Sequence, residues 1–292
     1  MEKIGIVTDV AADLPQEIIK KYRLAVVPIK LHWPEIENLP GNNTFQKMRE
    51  LEKMGIQSFG KTSQSSVKDF LDKYNLQLNS FEKVLCLTLT SKHSGTNNSA
   101  VQAVKFLDKS KQARVFVIDT LNVSGGQALL ILKAIELIEK GREAADIIAE
   151  IREMVPQIHF YVMFKDPKWI EASGRISGLV ANLMRGMAGA GIRPVMALKN
   201  GVLAPAGLKT GAKDIPTGLL KQLAADIRNR KVGNRKVKAV ITHGDDLAGA
   251  ERLKKMIEEE FANVEIIFIN IINDVVGAPV GPDSMAFSWC EN

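Results

Sequence analysis

Short apolar runs recur along this chain, each closed by Gly, Asp, Ser or Thr and followed by a longer stretch of helical period. That alternation constrains the fold more than any other feature, because it is the pattern of βα units around a mostly parallel sheet. In the first half, strands are expected over residues 4–8, 25–29, 84–89 and 115–118. Between them, Asn43 and Thr44 offer a cap for a helix over 45–54, Ser66 caps one over 67–74, and Thr96 opens one over 97–107. A longer helix over 127–140 stops at Gly141. In the second half, strands are expected over 158–163, 194–198, 238–242, 264–269 and 284–289. Helices are expected over Ile215–Asn229, with Pro216 in the first turn, and over 247–261. Two helical segments run together before Pro156 and a new strand follows. The expected class is therefore α/β, with two α/β domains over 1–156 and 157–292 and a mostly parallel sheet in the first.

With 292 residues, 46% of them apolar, the chain has the material for two buried cores. Its net charge of +6 is modest, and Lys and Arg alternate with Asp and Glu instead of forming a block, which argues against nucleic-acid binding. The two cysteines, Cys86 and Cys290, lack any spacing suited to a metal, so no metal ligand is expected. The start of the chain enters directly into Ile4-Gly5-Ile6-Val7, and no stretch approaches about 18 uncharged apolar residues. A cytoplasmic protein without stable membrane insertion is expected.

In open parallel sheets ligands lie beyond the carboxyl ends of strands, and here the loops at those ends share a hydroxyl-rich character. They are Thr8-Asp9, Lys61-Thr62-Ser63-Gln64, Ser94-Gly95-Thr96, and the stretch from Asp119 through Ser124 to Gly125-Gly126. Hydroxyls and free N–H groups before helices can hold an oxyanion, and glycines let backbone approach it. The same residues also serve as turns and N-caps, so each loop taken alone has two readings. No Walker-type loop and no dinucleotide fingerprint is present, which disfavours nucleotides and leaves no cofactor to expect.

A Ser94 nucleophile would need an imidazole and a carboxylate in reach. His243 is the best-placed imidazole, yet His243-Gly244-Asp245-Asp246 is also a natural strand-to-helix turn with Asp246 as N-cap. His32 and His159 read as core or rim residues. Arg175, between Gly174 and Gly178, is held on a tight loop where its guanidinium can meet an anion or a partner, or pair with Asp166 or Glu171. Residues 179–191 form either a tightly packed helix or an adaptable apolar lining. The run from Gly277 to Asp283 reads as a rigid turn.

Read together, Thr8-Asp9 with Asp13-Leu14-Pro15, Lys61-Thr62-Ser63-Gln64, Ser94-Gly95-Thr96, Ile118-Asp119-Thr120 with Ser124, Gly174-Arg175-Ile176-Ser177 and His243-Gly244-Asp245-Asp246 resemble the DegV family of bacterial fatty-acid-binding proteins. The resemblance implies a ligand between two α/β domains: a long-chain fatty acid with its tail in an apolar tunnel. Its carboxylate would be held by Thr62, with Ser63 beside it, and by Ser94. Gly95, Thr96, Asp119 and Ser124 complete the expected ligand-binding set. It further implies a non-catalytic lipid carrier serving a fatty-acid kinase subunit, with Arg175 facing that partner. Met and Leu residues between Leu179 and Met187, with Phe160 and Phe164, are candidates for the tunnel wall. Where family members carry a late histidine before a Gly-Pro-Gly turn, this chain reads Pro279-Val280-Gly281-Pro282-Asp283. Two alternatives stand beside this reading: an enzyme for a small phosphorylated or carbonyl substrate, and a diverged member that no longer binds lipid.

Overall fold

The computed structural model describes residues 2–189, 192–209 and 212–291. Its strands, in chain order, are β1 (Glu2–Asp9), β2 (Ala25–Val27), β3 (Lys30–His32), β4 (Lys61–Ser63), β5 (Phe81–Thr88), β6 (Val115–Asp119), β7 (His159–Met163), β8 (Arg193–Lys199), β9 (Val202–Lys209), β10 (Val237–His243), β11 (Val264–Ile271) and β12 (Met285–Glu291). The chain forms two compact units. Unit 1 comprises Met1–Lys30, Ser63–Ile158 and Asn200–Val202, and unit 2 comprises Leu31–Thr62, His159–Lys199 and Leu203–Asn292. The short β3–β4 ribbon lies where the chain leaves unit 1 and returns to it.

Unit 1 is built on a parallel sheet of order β2-β1-β5-β6. Runs such as Ile4-Gly5-Ile6-Val7 and Val84-Leu85-Cys86-Leu87 are apolar throughout because helices cover the sheet on both faces. Phe70, Tyr74 and Leu78 of helix Val67–Leu78 and Ala100 and Ala103 of helix Thr96–Lys105 pack with Val7, Val84 and Cys86. Ser66 and Asp69 close a capping box at the first of these helices, worth about 1 kcal/mol. Helix Ser124–Glu139 is buried along most of its length, which suits its nearly uniform apolar sequence.

Unit 2 carries a mixed sheet of order β11-β10-β12-β7-β8-β9. β10 runs parallel to β11, and the β10/β12, β12/β7 and β7/β8 pairs are antiparallel. Phe287 and Trp289 of β12 are fully buried with Met163, Leu219, Leu223, Ile241 and Leu253. Helix Ile215–Asn229 starts on Asp214, whose carboxylate accepts the Thr217 N–H at 2.9 Å. Helix Leu247–Glu260 starts in the same way on Asp246. Helix Thr44–Lys53 belongs to this unit, its Phe45 and Met48 fully buried.

Several expectations need correction. A single boundary at 156/157 describes only the crossing at Ile158/His159; residues 31–62 join the second unit, because Phe45, Met48 and Arg49 find their partners there. The run expected as a rigid turn is largely helical, over Asp274–Val280, because Asn273 accepts the N–H groups of Val275 and Val276 and so caps a helix. Gly95, not a hydroxyl residue, is the cap of helix Thr96–Lys105, and Thr96 is already helical. His32 is exposed rather than set in a core or rim. Strand β9 was not foreseen, since its apolar residues are broken by Pro205 and Gly207. The apolar stretch near 179 is a helix, Gly178–Gly189, that buries Ala181 and Met184 and exposes Leu179 and Leu183; its expected continuation through 190–191 lies outside the described residues.

Candidate functional site

In unit 1 the parallel register sets Thr8 beside Leu87 and Thr88 beside Asp119, so the loops after β1, β5 and β6 leave from one edge. Asp9 is wholly buried there. Its carboxylate accepts from Leu89 N at 2.8 Å, Ala11 N at 3.1 Å and Gln127 Nε2 at 3.3 Å. Burial pushes its pKa up to about 6, and the three donors only partly offset that penalty. Nearby, Ser124 donates to Asp13 at 2.5 Å, and both residues have positive φ.

The Ser94 hydroxyl is half-buried, 2.8 Å from Thr96 Oγ1, and accepts the Thr96 N–H at 3.2 Å. The loop after β4 lies against the same turn: Gln64 Nε2 donates to Ser99 Oγ at 3.1 Å, and Thr96 Oγ1 accepts the Ser65 N–H at 3.4 Å. The Gln64 amide packs close over Gly95, where a Cβ would lie 1.8 Å from Gln64 Oε1 unless that exposed side chain turned away. Ser63 is exposed beside it. The expected ligand set therefore divides. Ser63, at the end of β4, and Ser94 and Gly95, in the turn before helix Thr96–Lys105, keep exposed surface, whereas Thr96 and Ser124 are buried in internal hydrogen bonds. Asp119 is spent on the turn, accepting from Ser91 N and Leu121 N.

In unit 2, Arg175 Nη2 donates to Thr62 Oγ1 at 3.1 Å. Both residues are half-buried. The acids that could have paired with this arginine are engaged elsewhere: Glu171 with Arg185 at 2.6 Å and Asp166 with Lys168 at 3.4 Å. Among the described residues Arg175 has no carboxylate at ion-pair distance, and burial holds its pKa below the usual arginine range. A desolvated guanidinium with a hydroxyl in contact suits an oxyanion, to which both groups can donate.

Three further features of unit 2 were not legible in advance. Trp169 lies 6.0 Å from Trp33 and 5.3 Å from Phe59, ring centroid to centroid. Beside these rings is a cavity of about 460 Å³, lined in part by Ile56, Phe59, Lys168 and Trp169. Arg49 bridges Asp245 and Asp283, each at 2.6 Å, so Asp283 has a cation as its partner. Such partners are scattered in sequence, and only the isolated Trp and Arg residues could have hinted at them.

Pro279 is buried in its short helix. His243 accepts the Asp246 N–H at 3.1 Å through Nδ1 and closes the turn before helix Leu247–Glu260, while burial lowers its pKa. Among the described residues no group of three or more His, Cys, Asp or Glu is placed to hold a metal, and no helix is long and apolar enough to cross a membrane.

Fold and loops together define an α/β protein of two units, the first with hydroxyl-rich loops and the second with a half-buried guanidinium, Arg175, that has no carboxylate at ion-pair distance among the described residues. The chain belongs to the DegV family: the family model, described as an uncharacterised protein of the DegV family, matches residues 3–292. A protein of Thermotoga maritima named as a fatty acid-binding protein is 30% identical over 298 aligned positions, covering 98% of this chain and 96% of that protein. A DegV domain-containing protein of Clostridium acetobutylicum is 31% identical, with 100% and 99% covered. A solved DegV family structure from Thermus thermophilus, described for fatty acid binding, superposes with a TM-score of 0.83 at 27% identity, covering 99% of this chain and 100% of the other.

Proposed function

We propose that this protein binds a long-chain fatty acid, without catalysing a reaction on it, and holds the carboxylate at Thr62 and Arg175. The carrying observation is the 3.1 Å contact between those residues in the absence of an acidic partner for Arg175 among the described residues. The fatty-acid-binding name of the Thermotoga maritima relative supports the choice of ligand. Burial of an acyl chain contributes about 0.8 kcal/mol per methylene, so the tail supplies affinity and the head group fixes orientation.

The resemblance assigns Arg175 to a partner; its burial against Thr62 supports a role at the ligand head group instead. Ser63 and Ser94 offer further hydroxyls, and Gly95 a backbone N–H, to a ligand oxyanion. The hydrogen-bond partner of Ser94 is Thr96, which is no base, and this favours holding an acyl group over attacking it. The loaded protein would present its carboxylate to a fatty-acid kinase subunit in the cytoplasm.

Mass spectrometry of lipid released by denaturing extraction tests the reading. Recovery of long-chain acids at near one per chain supports it. An empty extract, together with no binding of added long-chain acids, overturns it. Incubation with a fatty-acid kinase and ATP tests presentation separately: acyl phosphate formed only with this protein present supports it, and none overturns that part.

A further inference from the structure

We infer that Trp169 is a positioning residue for the head-group site, the ring that holds Thr62 and Arg175 in register. The inference rests on the reading of those two residues as the carboxylate holders. Thr62 ends the segment 31–62, and Arg175 lies on the loop just after helix Lys168–Ala172. Trp169 is where these two pieces of chain meet. Its indole contacts Trp33 and Phe59, from the two ends of the segment that leads to Thr62, with centroids at 6.0 and 5.3 Å. On another side it rests on the backbone at Gly281, where a Cβ would lie 2.2 Å from Trp169 Cδ1. Six residues on, Arg175 reaches Thr62.

The chemistry of the ring points the same way. Trp169 is 3% exposed, yet its Nε1 finds no hydrogen-bond acceptor among the described residues. A buried N–H left unpaired is a cost that a site retains for some other reason, and here the reason is shape: a flat ring wide enough to touch Trp33, Phe59 and Gly281 at once. Lys168 and Glu52 add an ion pair at 2.6 Å between the same two pieces of chain. That pair is partly exposed, so it supplements the ring and does not replace it.

Two measurements on the whole chain test the inference, one without ligand. Nitrogen NMR of the arginine side chains reports whether the Arg175 guanidinium is held: restricted rotation is expected in the natural protein and in Trp169→Phe, which keeps a ring and removes the unpaired N–H. Free rotation is expected in Trp169→Leu. Restricted rotation in Trp169→Leu overturns the inference whether or not any lipid binds.

The second measurement compares a long-chain acid with the alcohol of the same length. The natural protein should prefer the acid by about tenfold or more. Trp169→Leu should lose that preference while still binding the alcohol, and Trp169→Phe should restore most of it. An equal loss for acid and alcohol would mark Trp169 as merely structural. A natural protein that binds neither refutes the fatty-acid reading and leaves the NMR result to decide on Trp169. Should Trp169→Leu fail to fold, Phe59→Leu, a change at a partly exposed ring, is expected to show both effects in weaker form; no change in either overturns the inference.

Discussion

Arg175 reaches back 113 positions in sequence to donate a hydrogen bond to Thr62, and neither Asp166 nor Glu171, its close neighbours, takes its charge. A guanidinium left in this state is electrostatically unfinished: partly desolvated, and facing a hydroxyl that can donate but carries no charge. On the proposed reading, the carboxylate of the fatty acid is the group that completes it.

The first prediction follows directly. Replacing Arg175 by Leu removes a charged hydrogen-bond donor, which is worth about 1.5–3 kcal/mol, or roughly ten- to hundredfold in affinity. Calorimetric titration with a long-chain acid should show that loss, with a smaller one for Thr62→Ala. Unchanged affinity in both variants would remove these residues from the head-group site.

Asp9 makes a prediction about pH. Its pKa is 3.8 before burial and about 6 in the fold, so the folded chain binds the proton more tightly than the unfolded one. Asp9 then adds stability at low pH, and that contribution falls as pH rises from about 4 to about 6, by an amount on the order of 3 kcal/mol. Other carboxylates act in the opposite sense, so the measurement is a difference. Denaturant midpoints of the natural protein and of Asp9→Asn should converge or cross as pH rises from 4 to 7. Parallel curves would show that Asp9 does not titrate in this range.

Arg49 gives the opposite sign. Burial raises the pKa of Asp245, but hydrogen bonds from Arg49 and Asn43 outweigh it and leave the carboxyl below its usual range. A depressed pKa stabilises the fold above the unfolded value and is lost as pH falls through the folded one. Arg49→Met should cost about 1–2 kcal/mol near neutrality and less in acid, read from urea unfolding at both pH values. An equal cost at both would mean that packing, not charge, is what Arg49 supplies.

Gly281 has φ +83°, and a Cβ there would meet the Trp169 ring. Gly281→Ala combines backbone strain with a clash against a buried indole, and should destabilise by about 2–3 kcal/mol. A melting temperature within a degree or two of the natural protein would refute this account of the turn.

Much of the fold was legible because it is written locally. Ser66 with Asp69, Asp246 before Leu247, and Pro216 after Ile215 mark helix starts within a few residues. The apolar run from Val84 to Leu87 marks a strand buried on both faces. Asn273 is hard to read as a cap because the Gly- and Pro-rich run that follows it resembles a turn, yet one asparagine side chain accepting two N–H groups suffices to start a helix. At the site, Ser94, Thr62 and Arg175 stood out by type, while Thr96, Asp119 and Ser124 looked equally suitable and are consumed by internal hydrogen bonds.

The sequence by itself determined the α/β class, the order of most elements and the hydroxyl character of the loops, because periodicity, caps and turn residues act over one or two turns of chain. Tertiary structure alone decided which hydroxyls stay exposed at the surface, that residues 31–62 join the second unit, and that Arg175 meets Thr62 rather than an acid. Those outcomes depend on contacts such as Arg49 with Asp245, 196 positions apart, and Trp169 with Trp33. The energy of such pairs arises only once the chain has brought them together, and no local pattern records it.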